Sequence, residues 1–421
     1  MSINRTAVLY KAFSSSLLSK LVSFIYQLLS IPLLISMIGT HNFGLLAILM
    51  SMIGWINILS GGISPFVTKV ISENKGLLEQ QSVIAGSRTL LAFGSLVLTA
   101  IFLIIGQFLY KDNQELAIPT LILFVISVLT INFTVADSIR QGSMQQHINN
   151  LFMMCANITI IISIYFTYQI PLAEQILLPL AVTILYLPLL ISKIINFLTL
   201  DKRFFVKGFY LPFKTNKLLF RKIYHFMLAN LMIQLSVVII KSFAIIYLGA
   251  NDTLAAAKME IIFRYLLISG TFFAAIQLPL WPLITEAKAK NDLLWLKKVK
   301  VWLGLGFLIY GLTNFVIMIN FGLAIFELWL GKAVIFSQQE IVLAGSYFLV
   351  ISIVQAPVII LMGLGAFSYM GRMLMAEALL FLTFILIGFI FSFRIDLSAV
   401  LAVMTSLRVV VFVFLFQRAY K

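Results

Sequence analysis

One cysteine in 421 residues, Cys155, leaves no partner for an internal disulfide and no basis for a cysteine-built metal site. The three histidines, His41, His147 and His225, all fall near the ends of apolar runs, which argues against a histidine metal centre as well. Charge is scarce. Only 11% of residues are Asp, Glu, Lys or Arg, and the 15 acids are outnumbered by 30 bases. Soluble-enzyme signatures are missing: there is no Walker-type glycine loop, no HExxH, no GxSxG and no CxxC. No cofactor is implied, and the chain is not expected to be an enzyme.

What is present is apolar. Hydrophobic residues make up 62% of the chain and the mean hydropathy is +1.07, whereas a soluble domain is about 45–50% apolar. One water-soluble core cannot absorb that excess, because cores stop growing near roughly 250–300 residues. A bilayer can. Apolar runs at 13–38, 44–68, 89–109, 117–139, 151–168, 176–195, 225–248, 257–283, 301–320, 341–362, 374–392 and 398–416 predict an all-α membrane protein of about twelve transmembrane helices. The run that follows Arg5 and Lys11 continues to Met37 without a small-residue cleavage site, so it is expected to be a retained first helix.

The longest connection divides the chain into an N-terminal six-helix lobe, 1–200, a basic linker, 201–224, and a C-terminal six-helix lobe, 225–421. With the N-terminus inside, the inner ends and connections collect about 22 Lys and Arg, against only Lys111, Lys332 and Arg394 outside. The positive-inside rule then puts both termini in the cytoplasm. The net charge of +15 is largely this topology signal, so nucleic acid is not an expected partner. The linker alternates basic and aromatic residues, from Lys202-Arg203-Phe204-Phe205 to Arg221-Lys222-Ile223-Tyr224. It reads either as a positive-inside connection brushing lipid or as a helix lying on anionic headgroups.

A faint repeat relates the halves. Ile38-Gly39-Thr40-His41-Asn42-Phe43-Gly44 and Leu248-Gly249-Ala250-Asn251-Asp252-Thr253-Leu254 both pair a Gly stop with a polar turn. The helices that follow end on Pro65 with Lys69 and Glu73, and on Pro282 with Glu286 and Lys290. Six helices separate the copies, which predicts two lobes related by a pseudo-two-fold axis along the membrane normal. Pro279 and Pro282 flank Trp281 and are expected to kink the eighth span.

Charges inside spans are costly and so carry information. Lys241, Arg264 and Arg408 lie deep, Lys20 lies about two turns into the first span, and Glu260 and Glu377 are the acids among them. A cationic cavity suits an anion, and a forked Arg with a point-charge Lys suits pyrophosphate. Ion pairing is the rival reading. Glu260 and Arg264 are spaced i,i+4, and Glu377 is within reach of Arg408 on a neighbouring helix. Lys241 has no acid on its own helix, which gives it the strongest claim to a ligand. Glu260 and Glu377 are candidate coupling or structural carboxylates. Ser14, Ser19, Ser23, Gln27 and Ser30 on the first span, with Asn230, Gln234, Ser236 and Ser242 on the seventh, either wet a cavity or join helices.

Several segments carry a family likeness. They are Ile38-Gly39-Thr40-His41-Asn42-Phe43-Gly44-Leu45, Gly61-Gly62-Ile63-Ser64-Pro65, Arg140-Gln141-Gly142-Ser143-Met144-Gln145-Gln146, Leu278-Pro279-Leu280-Trp281-Pro282 through Ala287, and Leu328-Trp329-Leu330-Gly331. Together they resemble the Wzx-type O-antigen flippases, in the polysaccharide branch of the multidrug/oligosaccharidyl-lipid/polysaccharide exporter superfamily. The resemblance implies a two-lobe transporter with a cationic lumen. It would flip an undecaprenyl-pyrophosphate-linked oligosaccharide across a bacterial inner membrane by alternating access. Its partners would be that lipid-linked substrate, membrane lipids and other O-antigen assembly proteins. On this reading Lys241, Arg264, Arg408 and Lys20 bind the pyrophosphate. Two other functions stay open: an ion-coupled multidrug exporter of the same superfamily, and a membrane-embedded O-antigen polymerase.

Overall fold

The computed structural model describes residues 5–72, 77–109, 114–143, 145–204, 217–391, 393 and 395–420, and among them there is no strand. The helices are α1 (Arg5–Ser72), α2 (Leu77–Leu109), α3 (Gln114–Phe133), α4 (Val135–Gly142), α5 (Gln146–Tyr168) and α6 (Glu174–Leu198), followed by α7 (Lys217–Asn251), α8 (Thr253–Ala289), α9 (Leu293–Leu330), α10 (Gln338–Gly363), α11 (Phe367–Ile390) and α12 (Leu397–Tyr420). They are not one-to-one with the expected spans. The first two expected spans both fall in α1, and the fourth is divided between α3 and α4.

Local chemistry explains the breaks. Gly39 interrupts α1 with φ 77° and ψ 166°, a combination that only glycine adopts without strain. Thr134 separates α3 from α4, with its hydroxyl turned back onto the Ile131 carbonyl at 2.7 Å. Asp292 caps α9 by accepting from the Trp295 amide. A capping box starts α10: the Ser337 hydroxyl accepts from the Glu340 amide, and the Glu340 carboxylate accepts from the Ser337 amide.

Ten helical stretches among the described residues are long and apolar enough to cross a membrane. One of them, Ser19–Ile58, contains the Gly39 break and so joins two expected spans. Large apolar side chains such as Phe93, Trp302, Ile309 and Leu328 are exposed, as expected where the solvent is acyl chain. The chain is a multi-pass membrane protein.

The chain divides into two compact units, residues 1–42 with 52–227, and 43–51 with 228–421. In the first unit, α6 packs on α3 and α5, and α2 on α3. Its core holds Val67, Ile84, Leu91, Ile131, Val135 and Ile139. In the second, α10 is central and packs on α8, α9, α11 and α12. Small residues allow that closeness: a Cβ on Gly322 of α9 would collide with Ile341 of α10.

Phe43–Ser51 belongs to the second unit, apart from the rest of α1. Gly44 lies against Thr253, and Gly249 lies against Ile48. The buried Ser242 hydroxyl donates to the Ser51 carbonyl at 2.7 Å. Residues 43–51 are therefore packed on α7 and the start of α8. Of the linker, Phe204 is buried and the Arg203 carbonyl accepts from Gln81 of α2 at 2.7 Å. The expected surface helix falls largely on residues 205–216, which lie outside the described residues, as does Glu73.

Candidate functional site

α7 and α8 are joined through Asp252, and three expected site residues meet across them in the second unit. Glu260 is fully buried and holds two cations, one on each carboxylate oxygen. Arg264 Nε donates to Oε1 at 2.8 Å, closing the i,i+4 pair on α8. Lys241 Nζ lies 2.9 Å from Oε2 and 5.6 Å from the centre of the Phe263 ring. Arg264 also reaches Met50 Sδ at 3.9 Å, so the Phe43–Ser51 stretch borders the group. At 1.5 Å per residue, Lys241 stands about 15 Å along its helix from Asn251, near the middle of a hydrocarbon layer about 30 Å thick.

Lys241 has no acid on its own helix, as expected, but an acid reaches it from the next one. Two cations on one carboxylate nevertheless leave a formal charge of +1, and the Lys241 and Arg264 side chains stay 27% and 16% exposed while that of Glu260 is 1% exposed. The cluster is a partly accessible cationic edge on a buried anionic root.

Arg408 of α12 belongs to a second group. Its Nε pairs with Glu377 Oε1 of α11 at 2.8 Å, and the Tyr347 side chain of α10 shares the guanidinium. This group is formally neutral and ties three helices together. Lys20 lies in the first unit, half-buried on α1, with no carboxylate paired to it among the described residues. Each of the three deepest cations thus has a carboxylate within 3 Å, so none is a free charge waiting for an anion. Any role in binding rests on the excess charge of the Glu260 group.

Sequence reasoning missed a buried polar network in the first unit. Arg140 of α4 donates to the Asn196 side chain at 2.5 Å, to Thr199 Oγ1 at 2.8 Å and to Gln145 at 3.2 Å. Asn196 donates to Asp137 at 2.7 Å and to Asn149 at 2.9 Å, and Asp137 also pairs with Lys193. The mixed Asp137, Arg140, Gln145, Asn149 and Lys193, Asn196, Thr199 positions at the ends of apolar runs were its only signal. Lys258 makes a bidentate pair with Glu340, 3.0 Å to each oxygen, and joins α8 to the start of α10.

Residues 9–288 match the family described as polysaccharide biosynthesis protein. No curated protein matches the chain in sequence. Solved structures share its fold. An inward-facing multidrug resistance MATE family transporter of the MOP superfamily aligns with a TM-score of 0.73 at 13% identity, over 94% of both chains. The lipid II flippase MurJ, in an inward closed conformation, aligns with a TM-score of 0.68 at 14% identity, over 97% of this chain and 87% of that one. A MOP superfamily transporter from Pyrococcus furiosus Vc1 aligns with a TM-score of 0.60 at 13% identity, over 98% and 93%. At such identities these structures speak for the fold, while the sequence match spans well over half the chain, and the chain belongs to the polysaccharide biosynthesis protein family.

Proposed function

We propose that this protein is a flippase that moves an undecaprenyl-pyrophosphate-linked O-antigen unit from the cytoplasmic to the periplasmic leaflet of a bacterial inner membrane. Both termini lie in the cytoplasm, and transport proceeds by alternating access through a cationic cavity. The observation that carries the reading is the excess positive charge of Lys241, Glu260 and Arg264, about halfway across the bilayer. Buried charge of this kind is expensive and tends to mark a substrate path. An Arg fork beside a Lys point charge suits vicinal phosphates. Lys20 supplies a further cation in the first unit, whereas Arg408 is neutralised by Glu377 and helps hold the bundle.

Family membership supports a role in polysaccharide assembly, and the lipid II flippase shows that this fold accommodates a lipid-linked cargo. Fold alone does not choose the cargo, since multidrug transporters share it. Export of cationic drugs gains no support from the acids, because Glu260 and Glu377 both already face cations.

The test is a deletion strain assayed for lipid-linked single units on each face of the membrane. Accumulation on the cytoplasmic face is the expected result, and accumulation outside would turn the assignment to polymerisation. Complementation with Lys241→Met or Arg264→Met is expected to leave surface polysaccharide depleted although the variant inserts normally. Full surface polysaccharide in both would remove the cationic site from the transport path.

A further inference from the structure

Glu260 is wholly buried, yet it makes an ion pair with each cation of the cluster. A buried carboxylate this close to two cations lowers the positive field an anionic cargo would meet. If attraction were the cluster's only task, a neutral residue at 260 would perform it better. The geometry suggests another task. Arg264 is held through Nε, which restrains the plane of the guanidinium, and its Nη2 reaches Met50 Sδ. Lys241 comes from a different helix and is drawn to the second oxygen of the same carboxylate. Two long, rotamer-rich side chains are thereby held on the two oxygens of one carboxylate, and much of their ordering cost is met before a ligand arrives.

We propose that Glu260 is a positioning residue that sets Lys241 and Arg264 as a paired clamp for a diphosphate. The inference rests on the reading of the cluster as the pyrophosphate site, and it adds that the acid strengthens binding of an anion. Glu260 acts through the two cations and does not itself contact the ligand. The clamp favours a compact ligand with two adjacent anionic groups. A monophosphate brings less charge and only one phosphoryl group to the pair and is held more weakly.

Opposite signs separate the two accounts. Glu260→Gln raises the formal charge of the cluster from +1 to +2. A field without positioning then binds diphosphate more tightly, whereas a clamp that has lost its root binds it more weakly, by about tenfold or about 1.4 kcal/mol. The experiment uses the full chain in lipid nanodiscs and titrates it with farnesyl pyrophosphate, with farnesyl monophosphate as the comparison. The expected result is weaker diphosphate binding in Glu260→Gln, partial recovery in Glu260→Asp, and a diphosphate preference that shrinks in Glu260→Gln.

Glu260→Gln leaves two cations without their buried partner and risks misfolding. The same comparison is therefore made in a Lys241→Met background, where adding Glu260→Gln raises the cluster's charge from 0 to +1 and leaves a single cation to bury. Weaker binding on adding Glu260→Gln supports positioning, and equal or tighter binding overturns it. If the wild type itself binds neither lipid phosphate, or binds them no better than Lys241→Met does, the pyrophosphate reading of the site fails first, and the inference falls with it. Wild-type binding that Lys241→Met weakens and Glu260→Gln strengthens would sink the positioning role alone.

Discussion

Lys241 and Glu260 stand 2.9 Å apart on the two helices joined by the turn at Asp252. Lys241 lies eleven residues before that turn and Glu260 and Arg264 eight and twelve after it, so Lys241 falls level with the turn of α8 that carries both. In an antiparallel helical hairpin, residues equidistant from the turn share a level. The pair therefore spans the interior of the hairpin, and Arg264, one turn further along α8, joins from the same face. Charge and shape at Arg264 can be separated on this basis. Arg264→Lys keeps the charge but loses the planar fork and the Nε bond to Glu260. Transport of lipid-linked units into the outer leaflet of reconstituted vesicles is expected to fall about tenfold, the scale of one charge-assisted hydrogen bond. Unchanged transport would mean that charge alone matters at this position.

The second charged group should behave differently. Arg408 and Glu377 neutralise one another and are nearly buried, with side chains 15% and 2% exposed. Removing either one strands the other, which costs about 3–5 kcal/mol for a buried pair. Arg408→Met and Glu377→Leu are each expected to lower the thermal unfolding temperature in detergent clearly, and the double variant to recover most of the loss. Replacing both partners with apolar groups of similar volume removes the buried charge altogether. Equal destabilisation in the double variant would show that the pair does more than neutralise itself.

Much of this protein was legible as sequence because a bilayer imposes a simple rule: apolar runs become helices. The spans and their capping punctuation follow from it. Even the Arg408–Glu377 and Glu260–Arg264 pairs were visible, since spacing on one helix or adjacency in the chain suggested them. The acid beside Lys241 was not legible, because it lies on another helix and beyond any spacing within one run, although the short Asn251-Asp252-Thr253 turn implied a neighbouring partner. The network around Asn196 was harder to see. Asp137, Asn149 and Asn196 lie on three different helices, and no periodicity within one run announces a contact among three. The attachment of Phe43–Ser51 to the second unit was also hidden, because it depends on the close approach that Gly44 and Gly249 permit.

Asn196 is the hub of its network. Its side chain accepts from Arg140 and donates to both Asp137 and Asn149. Leucine at this position keeps the approximate volume but leaves a buried guanidinium and a carboxylate short of partners. Unsatisfied buried groups cost about 1–3 kcal/mol each, and more when charged. Asn196→Leu is therefore expected to destabilise the first unit by about 3 kcal/mol, whereas Asn149→Leu, which removes one spoke, should cost about 1 kcal/mol. Hydrogen exchange at the facing ends of α4, α5 and α6 reads the effect locally. Faster exchange confined to the second unit would contradict it.

The glycines of the repeat offer the sharpest structural test, because each excludes a side chain for a different reason. At Gly39 a Cβ meets nothing within 4 Å, so only the backbone angle objects, and Gly39→Ala should cost about 1–2 kcal/mol that no neighbouring substitution relieves. At Gly44 a Cβ would strike the Thr253 carbonyl oxygen, which is backbone and stays in place whatever residue occupies 253. At Gly249 the nearest atom is Ile48 Cδ1, the tip of a flexible side chain. Overpacking costs about 1–3 kcal/mol where neighbours cannot yield. Gly249→Ala should therefore be largely rescued by Ile48→Ala, which removes both the Cδ1 and the Cγ1 that the new Cβ would meet, while Gly44→Ala should stay destabilised in combination with Thr253→Ala. Thermal unfolding of the two double variants measures the difference. Rescue of both would mean that residues 43–51 can slide along α7 and α8, and their packed seam would lose its claim to rigidity.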